Sequence, residues 1–182
     1  WTGVPIMTSN MDTVGTFDMH EELSLHGMVT CIARHYNKNG KVWDQAQRKN
    51  KLCVMCGISD KEILELVDVV NTFPDISFVG LDVANGYTIN FVESIKHLRN
   101  HLPNATIIAG NVVTADMTAE LILAGVDIVK VGVGPGSVCT TRIKTGIGYP
   151  QLSAVMECAD AAHGIGGHII ADGGCNSSGD IV

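Results

Sequence analysis

The hydrophobic positions along the chain fall into two alternating kinds of segment. Short, near-continuous apolar runs rich in Val and Ile occupy residues 4–7, 28–33, 52–56, 78–81, 106–109, 127–131 and 168–171. A strand buried on both faces has no reason to alternate, so these runs read as seven strands of a parallel sheet. Between them lie stretches with helical spacing. Ile63, Leu66, Val67 and Val70 follow a capping pattern at Ser59 and Glu62, and Ile89, Val92, Ile95, Leu98 and Leu102 form a second set. Gly27 and Gly125 stand just past helical stretches, where left-handed backbone closes a helix.

Matched points in the first four strands, Val4, Val29, Val54 and Phe78, lie one strand–helix unit apart, and the step from Ile128 to Ile169 is longer, so extra residues follow the sixth strand. Strand–helix alternation of this period means a parallel α/β fold. An open doubly wound sheet would gather its chemistry at one switch point, whereas a barrel places it after many successive strands. Here polar or special residues follow most strands: Asn10 and Asp12, Arg34 and His35, Asp82 and Asn85, Asn111, the segment 134–142, and Asp172. Helix capping accounts for some of these but not for Arg34 or the long sixth loop. The expected architecture is therefore a (β/α)8 TIM barrel with about seven of its eight βα units. Residues 1–182 would form a partial catalytic domain lacking an N-terminal lead-in and the eighth unit.

Composition narrows the function. Charged residues are 17%, hydrophobic residues 46%, and there are 20 glycines in 182 residues, a balance that excludes disorder and coiled coil. The net charge of −7, without a basic run, argues against a nucleic-acid binder. Any phosphate would be held by backbone N–H groups. No apolar run approaches the roughly 18 residues of a membrane span. Six cysteines without a secretory signal read as reduced thiols of a cytoplasmic protein.

The densest constellation is Gly132-Val-Gly-Pro-Gly-Ser-Val-Cys-Thr-Thr-Arg142. Glycines at every second position let backbone approach a ligand closely. Ser137 stands where a dinucleotide fingerprint needs its third glycine, and the Gly-Lys-Ser/Thr ending of a P-loop is missing. Cys139 in this loop is a candidate nucleophile, Thr141 could relay a proton, and Arg142 favours an anion nearby. Asp172-Gly173-Gly174 suits a sugar hydroxyl on the carboxylate and a phosphate on the amides, and equally a turn with a capping Asp. Cys53 and Cys56 lack the second ligand pair of a zinc site and face opposite sides of a strand, so they read as buried thiols.

Long motifs then carry a resemblance. Asn10-Met-Asp-Thr-Val-Gly-Thr-Phe17, Leu81-Asp-Val-Ala-Asn-Gly-Tyr87, Ala109-Gly-Asn-Val-Val-Thr114, the run from Gly132 to Val155, Glu157-Cys-Ala-Asp-Ala-Ala-His-Gly164 and Asp172-Gly-Gly-Cys175 resemble the GMP reductases. Pro135, Thr140-Thr141-Arg142 and Thr145-Gly-Ile-Gly-Tyr-Pro150 resemble the reductases more than the sister IMP dehydrogenases. The resemblance implies NADPH-dependent reductive deamination of GMP to IMP and ammonia, an activity of purine nucleotide salvage. Cys139 would attack C2 of the purine to form a thioimidate. Thr141 would exchange protons with the departing ammonia, together with a glutamate beyond Val182. It implies cofactor positions at Arg34, Asp82, Val83, Ala84, Val133 and Gly134. Arg34 stands where the reductases usually carry Lys. Nucleotide positions would be Ser137, Asp172, Gly173 and Gly174. Backbone carbonyls of Gly134, Gly136, Cys139 and Arg142 would hold a monovalent cation, usually potassium. A cytoplasmic homotetramer acting on small nucleotides, without nucleic-acid or membrane partners, is the implied setting. Two other readings stand beside this one: an IMP dehydrogenase-like oxidation of IMP to XMP with NAD, and a non-catalytic nucleotide-binding relative.

Overall fold

The computed structural model describes residues 2–38, 43, 44 and 46–182. Its strands are β1 (Met7–Thr8), β2 (Val29–Ile32), β3 (Leu52–Cys56), β4 (Phe78–Asp82), β5 (Thr106–Val112), β6 (Ile128–Val131) and β7 (His168–Ala171). Its α-helices are α1 (Phe17–Leu25), α2 (Asp60–Thr72), α3 (Ile89–His101), α4 (Ala115–Leu123), α5 (Thr141–Thr145), α6 (Gln151–Gly164) and α7 (Ser178–Ile181). The strands form one sheet in chain order, β1 to β7. The ladders β1–β2, β2–β3, β3–β4 and β6–β7 are all parallel. Parallel strands in sequence order, with helices between them, have the topology of the (β/α)8 barrel, and seven of its strands are described here.

The chain divides into two compact units, one comprising Trp1–Asp82 with Lys96–Ile108, the other Val83–Ile95 with Ala109–Val182. In the first, β3 is buried along its whole length, as a run without alternation requires. α2 turns Ile63, Leu66, Val67 and Val70 inward. Its Ser59 cap accepts from the Glu62 N–H at 3.3 Å and donates to the Glu62 carboxylate at 2.6 Å. In the second unit α4 and α6 pack on each other. The close approach follows from the small residues that α6 buries at helical spacing, Ala154, Cys158 and Ala162. Gly27 and Gly125 take φ of +74° and +116°, the left-handed turns expected of them.

β2, β4 and β6 differ from the expected bounds by a single residue at one or both ends, and two strands depart further. β1 begins at Met7, not Val4, because Pro5 lacks an N–H and the Ile6 N–H turns back to the Val4 carbonyl at 2.8 Å. β5 runs past Ala109 to Val112. Its polar end is still laddered: the Val83 N–H reaches the Gly110 carbonyl at 2.9 Å and the Asn111 N–H reaches the Val83 carbonyl at 3.1 Å. Among the described residues no helix is long and apolar enough to cross a membrane.

Candidate active site

The loop after β6 builds its site from glycine, a strap and a thiol. Gly134 takes φ of +65°, and a Cβ there would stand 3.0 Å from the Arg142 side chain and 3.2 Å from that of Thr141. Those two side chains fill the space that glycine leaves. Arg142 donates from Nε to the Val133 carbonyl at 2.9 Å and from Nη2 to the Tyr149 carbonyl, tying both ends of the loop together. Cys139 is half-buried, and its N–H donates to the Gly136 carbonyl at 3.0 Å. Its Sγ lies 3.4 Å from Thr141 Oγ1. When the thiol ionises, that hydroxyl turns to donate. The hydroxyl, the Thr141 backbone N–H and the Arg142 guanidinium together hold the Cys139 thiol below its ordinary value.

The end of β7 lies against the same loop. Gly173 and Gly174 take φ of +76° and +82°, and a Cβ on Gly174 would stand 3.1 Å from Pro135. Asp172 is half-buried, and its Oδ2 accepts from Asn111 Nδ2 at 2.7 Å and pairs with Lys130 Nζ at 3.5 Å. Asn111 also donates to the Gly132 carbonyl at 2.8 Å. Ser137 is exposed at the loop tip. Asp172, Gly174, Pro135, Gly132 and Asn111 therefore form one connected group, with Cys139, Thr141 and Arg142 on the same loop.

Of the remaining cofactor positions, Asp82 accepts from Asn10 Nδ2 at 3.0 Å, Val83 is half-buried with its backbone laddered to β5, and Ala84 is exposed. Arg34 lies 3.8 Å from Glu62, a pair that is roughly half exposed on both sides. His35 lies 3.3 Å from Asp12. Cys53 and Cys56 are buried thiols, as read from the sequence. The oxygen donors expected around a monovalent cation are of the right chemical type, since carbonyl oxygens replace a hydration shell. Two of them, at Gly136 and Arg142, also accept from the loop's own Cys139 and Gly146 amides at 3.0 and 2.9 Å.

A family model, that of the IMP dehydrogenase / GMP reductase domain, matches residues 2–182. The chain belongs to this family. It is 51% identical to a GMP reductase of Phytophthora infestans and 53% identical to one of Caenorhabditis elegans, in each case over 100% of this chain. The chain spans about half the length of these curated relatives, 51% and 52%. Among solved structures, IMP dehydrogenase from Legionella pneumophila superposes with a TM-score of 0.88 at 32% identity, covering 98% of this chain and 53% of that one. GMP reductase from Trypanosoma brucei, solved with guanosine 5′-triphosphate, gives 0.67 at 36% identity over 71% of this chain and 31% of that one.

Within this member of the family, several residues at the site escaped the sequence reading. Lys130 lies inside the apolar run 127–131 and drew no reading of its own, and its burial beside Asp172 is visible only in the structure. Gln151 donates to the Val131 carbonyl at 2.9 Å and packs beside Gly132. The Tyr87 hydroxyl accepts from the Val113 N–H at 2.8 Å, so an aromatic side chain braces the end of β5.

Proposed function

We propose that this chain carries the catalytic loop of a GMP reductase, converting GMP, NADPH and two protons to IMP, NADP+ and ammonium. The observation that carries the reading is the Cys139–Thr141 pair at 3.4 Å, with the thiol held below its ordinary value on a family loop. What favours the reductase over the dehydrogenase direction is the resemblance of Pro135 and Arg142 to reductase residues, and both make contacts at the loop. These are Pro135 against Gly174 and the two bonds from Arg142 to the Val133 and Tyr149 carbonyls. The residues that resemble reductases are thus the ones that shape the loop.

In this proposal Cys139 attacks C2 of the purine as a thiolate, and the exocyclic amine leaves as ammonia with a proton passed through Thr141. Asp172 accepts hydrogen bonds from the ribose, and the amides of Gly173 and Gly174 with Ser137 face the phosphate. Asp82, Val83, Ala84, Val133, Gly134 and Arg34 are the proposed cofactor positions, offering a carboxylate, small apolar surface and a cation. NADPH, when bound, supplies the hydride that C2 accepts as the sulfur departs. Carbonyls of Gly134, Gly136, Cys139 and Arg142 would hold potassium, whose role would be to order the loop. A cytoplasmic homotetramer belongs to the same proposal.

The test is a pair of assays on the full-length protein. GMP-dependent NADPH oxidation with stoichiometric ammonia is the expected result. NADH formation from IMP at a comparable rate replaces this reading with the dehydrogenase one, and nucleotide binding without turnover in either assay replaces it with a non-catalytic relative.

A further inference from the structure

Lys130 is a lysine where packing alone favours an apolar residue. It sits in β6 between Val129 and Val131, both at 0% exposure, and is itself only 7% exposed. A buried ammonium is costly to desolvate unless it is paired and hydrogen-bonded. The pairing is specific: Nζ is 3.5 Å from Asp172 Oδ2, the oxygen that also accepts from Asn111 Nδ2 at 2.7 Å. Donors from two different strands, β5 and β6, therefore converge on one carboxylate oxygen at the end of a third. Close approach of β5 at this point needs Gly110, where a Cβ would stand 2.5 Å from the Lys130 carbonyl and 2.6 Å from its Cβ.

Holding β6 to β7 does not require the ion pair. The backbone ladder already does so, with Lys130 opposite Ile170, Val131 opposite Ala171, and the Asp172 N–H on the Val131 carbonyl at 2.9 Å. What the ladder cannot fix is the side-chain torsion of Asp172, and two donors on one oxygen do fix it. We infer that Lys130 is a positioning residue: with Asn111 it sets the orientation of the Asp172 carboxylate so that it accepts hydrogen bonds from the vicinal diol of a nucleotide ribose. The inference rests on the nucleotide reading proposed above. It adds a residue to that site for which neither the sequence motifs nor the resemblance provided a role.

The experiment measures dissociation constants of GMP and of 2′,3′-dideoxy-GMP by calorimetry on the full-length protein. It compares wild type with Lys130→Met, Lys130→Arg, Asn111→Ala, Asp172→Asn and the Lys130→Met/Asp172→Asn double variant, with thermal midpoints for each. A hydrogen bond to a charged group corresponds to roughly a tenfold to hundredfold change in affinity. Lys130→Met is expected to weaken GMP by about that factor while moving the diol-free analogue less than about threefold. Lys130→Arg recovers most of the loss, and the double variant binds GMP no worse than Asp172→Asn alone. Asn111→Ala reproduces the same discrimination and carries the test if Lys130→Met does not fold. Equal weakening of both nucleotides, or full additivity in the double variant, means a structural role and overturns the inference alone. A wild-type protein that binds no GMP overturns the functional reading and this inference with it.

Discussion

Two cysteines, one closing a parallel strand and one in the loop after another, each near an arginine and a glycine, have thiols shifted in opposite directions. Cys56 closes β3 and is buried, and its thiol is pushed up to about 12, first by that burial and then by the Glu62 carboxylate, against the pull of Arg34. Cys139 sits half-buried after β6, and hydrogen bonds from Thr141 and the Arg142 guanidinium pull its thiol down. The glycines themselves do not make the difference. Gly57 leaves room that the Glu62 carboxylate fills, since a Cβ there would stand 2.7 and 2.9 Å from its oxygens. Gly134 leaves room that Thr141 and Arg142 fill. The side chain that occupies the open position sets the direction in which the neighbouring thiol shifts: hydrogen-bond donors stabilise a thiolate, whereas a carboxylate and burial oppose it.

Removing each thiol breaks the comparison most sharply. Cys139→Ala is expected to lower GMP-dependent turnover at least about a thousandfold while GMP still binds, because the proposed covalent route is lost and the other proposed contacts remain. Cys56→Ala removes a buried atom and is expected to cost about 1–2 kcal/mol of stability with kcat near wild type. Steady-state kinetics and denaturant unfolding check the pair. Near-normal turnover in Cys139→Ala would remove this thiol from the mechanism.

A smaller effect follows from the donor that separates the two sites. In Thr141→Val the hydroxyl that stabilises the thiolate is gone, so the Cys139 thiol moves up towards its ordinary value. A group titrating at higher pH holds less thiolate at pH 7, so iodoacetamide labelling of Cys139 slows there and its pH profile shifts to the alkaline side. Turnover is expected to fall by about tenfold to a hundredfold, since the same hydroxyl is the proposed proton carrier. An unchanged labelling profile would assign the lowered thiol to the Thr141 backbone N–H and Arg142 alone.

What the sequence made legible divides along the same line. β3 and β7 match their expected bounds because an unbroken apolar run marks a strand, but only β3 is buried throughout, as such a run predicts; β7 is half-buried in its middle and exposed at both ends. Cys139, Thr141 and Arg142 were readable because they sit within one short loop whose glycine spacing announces close approach. β1 was misplaced because Pro5 interrupts a run that is apolar by composition. β5 was cut short because the apolar run stops at Ala109 and Asn111 was read as a polar residue after the strand, although the backbone of Gly110 and Asn111 continues the ladder. Lys130 was missed because its meaning depends on Asp172 and Asn111, which are distant in sequence. Glu62 was read as half of a helix cap, and its second role beside Cys56 and Arg34 needed the space above Gly57 to be seen.

The smallest expected effect sharpens the comparison by asking whether charge or burial keeps Cys56 inert. Glu62→Gln removes the carboxylate that raises the Cys56 thiol and frees Arg34, which lowers it, so both changes act in one direction. Burial is the largest cause, however, and it is untouched. Gln also serves in the capping position, and the lost Arg34 pair is half-exposed, so the stability change is expected to stay below about 1 kcal/mol. Labelling of Cys56 in the folded Cys139→Ala background, followed peptide by peptide by mass spectrometry from pH 7 to pH 9, should therefore change less than about twofold, because reagent reaches a buried thiol only through local opening. If Glu62→Gln instead labels Cys56 at a rate near that of Cys139 in the unaltered protein, one carboxylate is what separates the two sites, and the ranking of burial over charge is wrong.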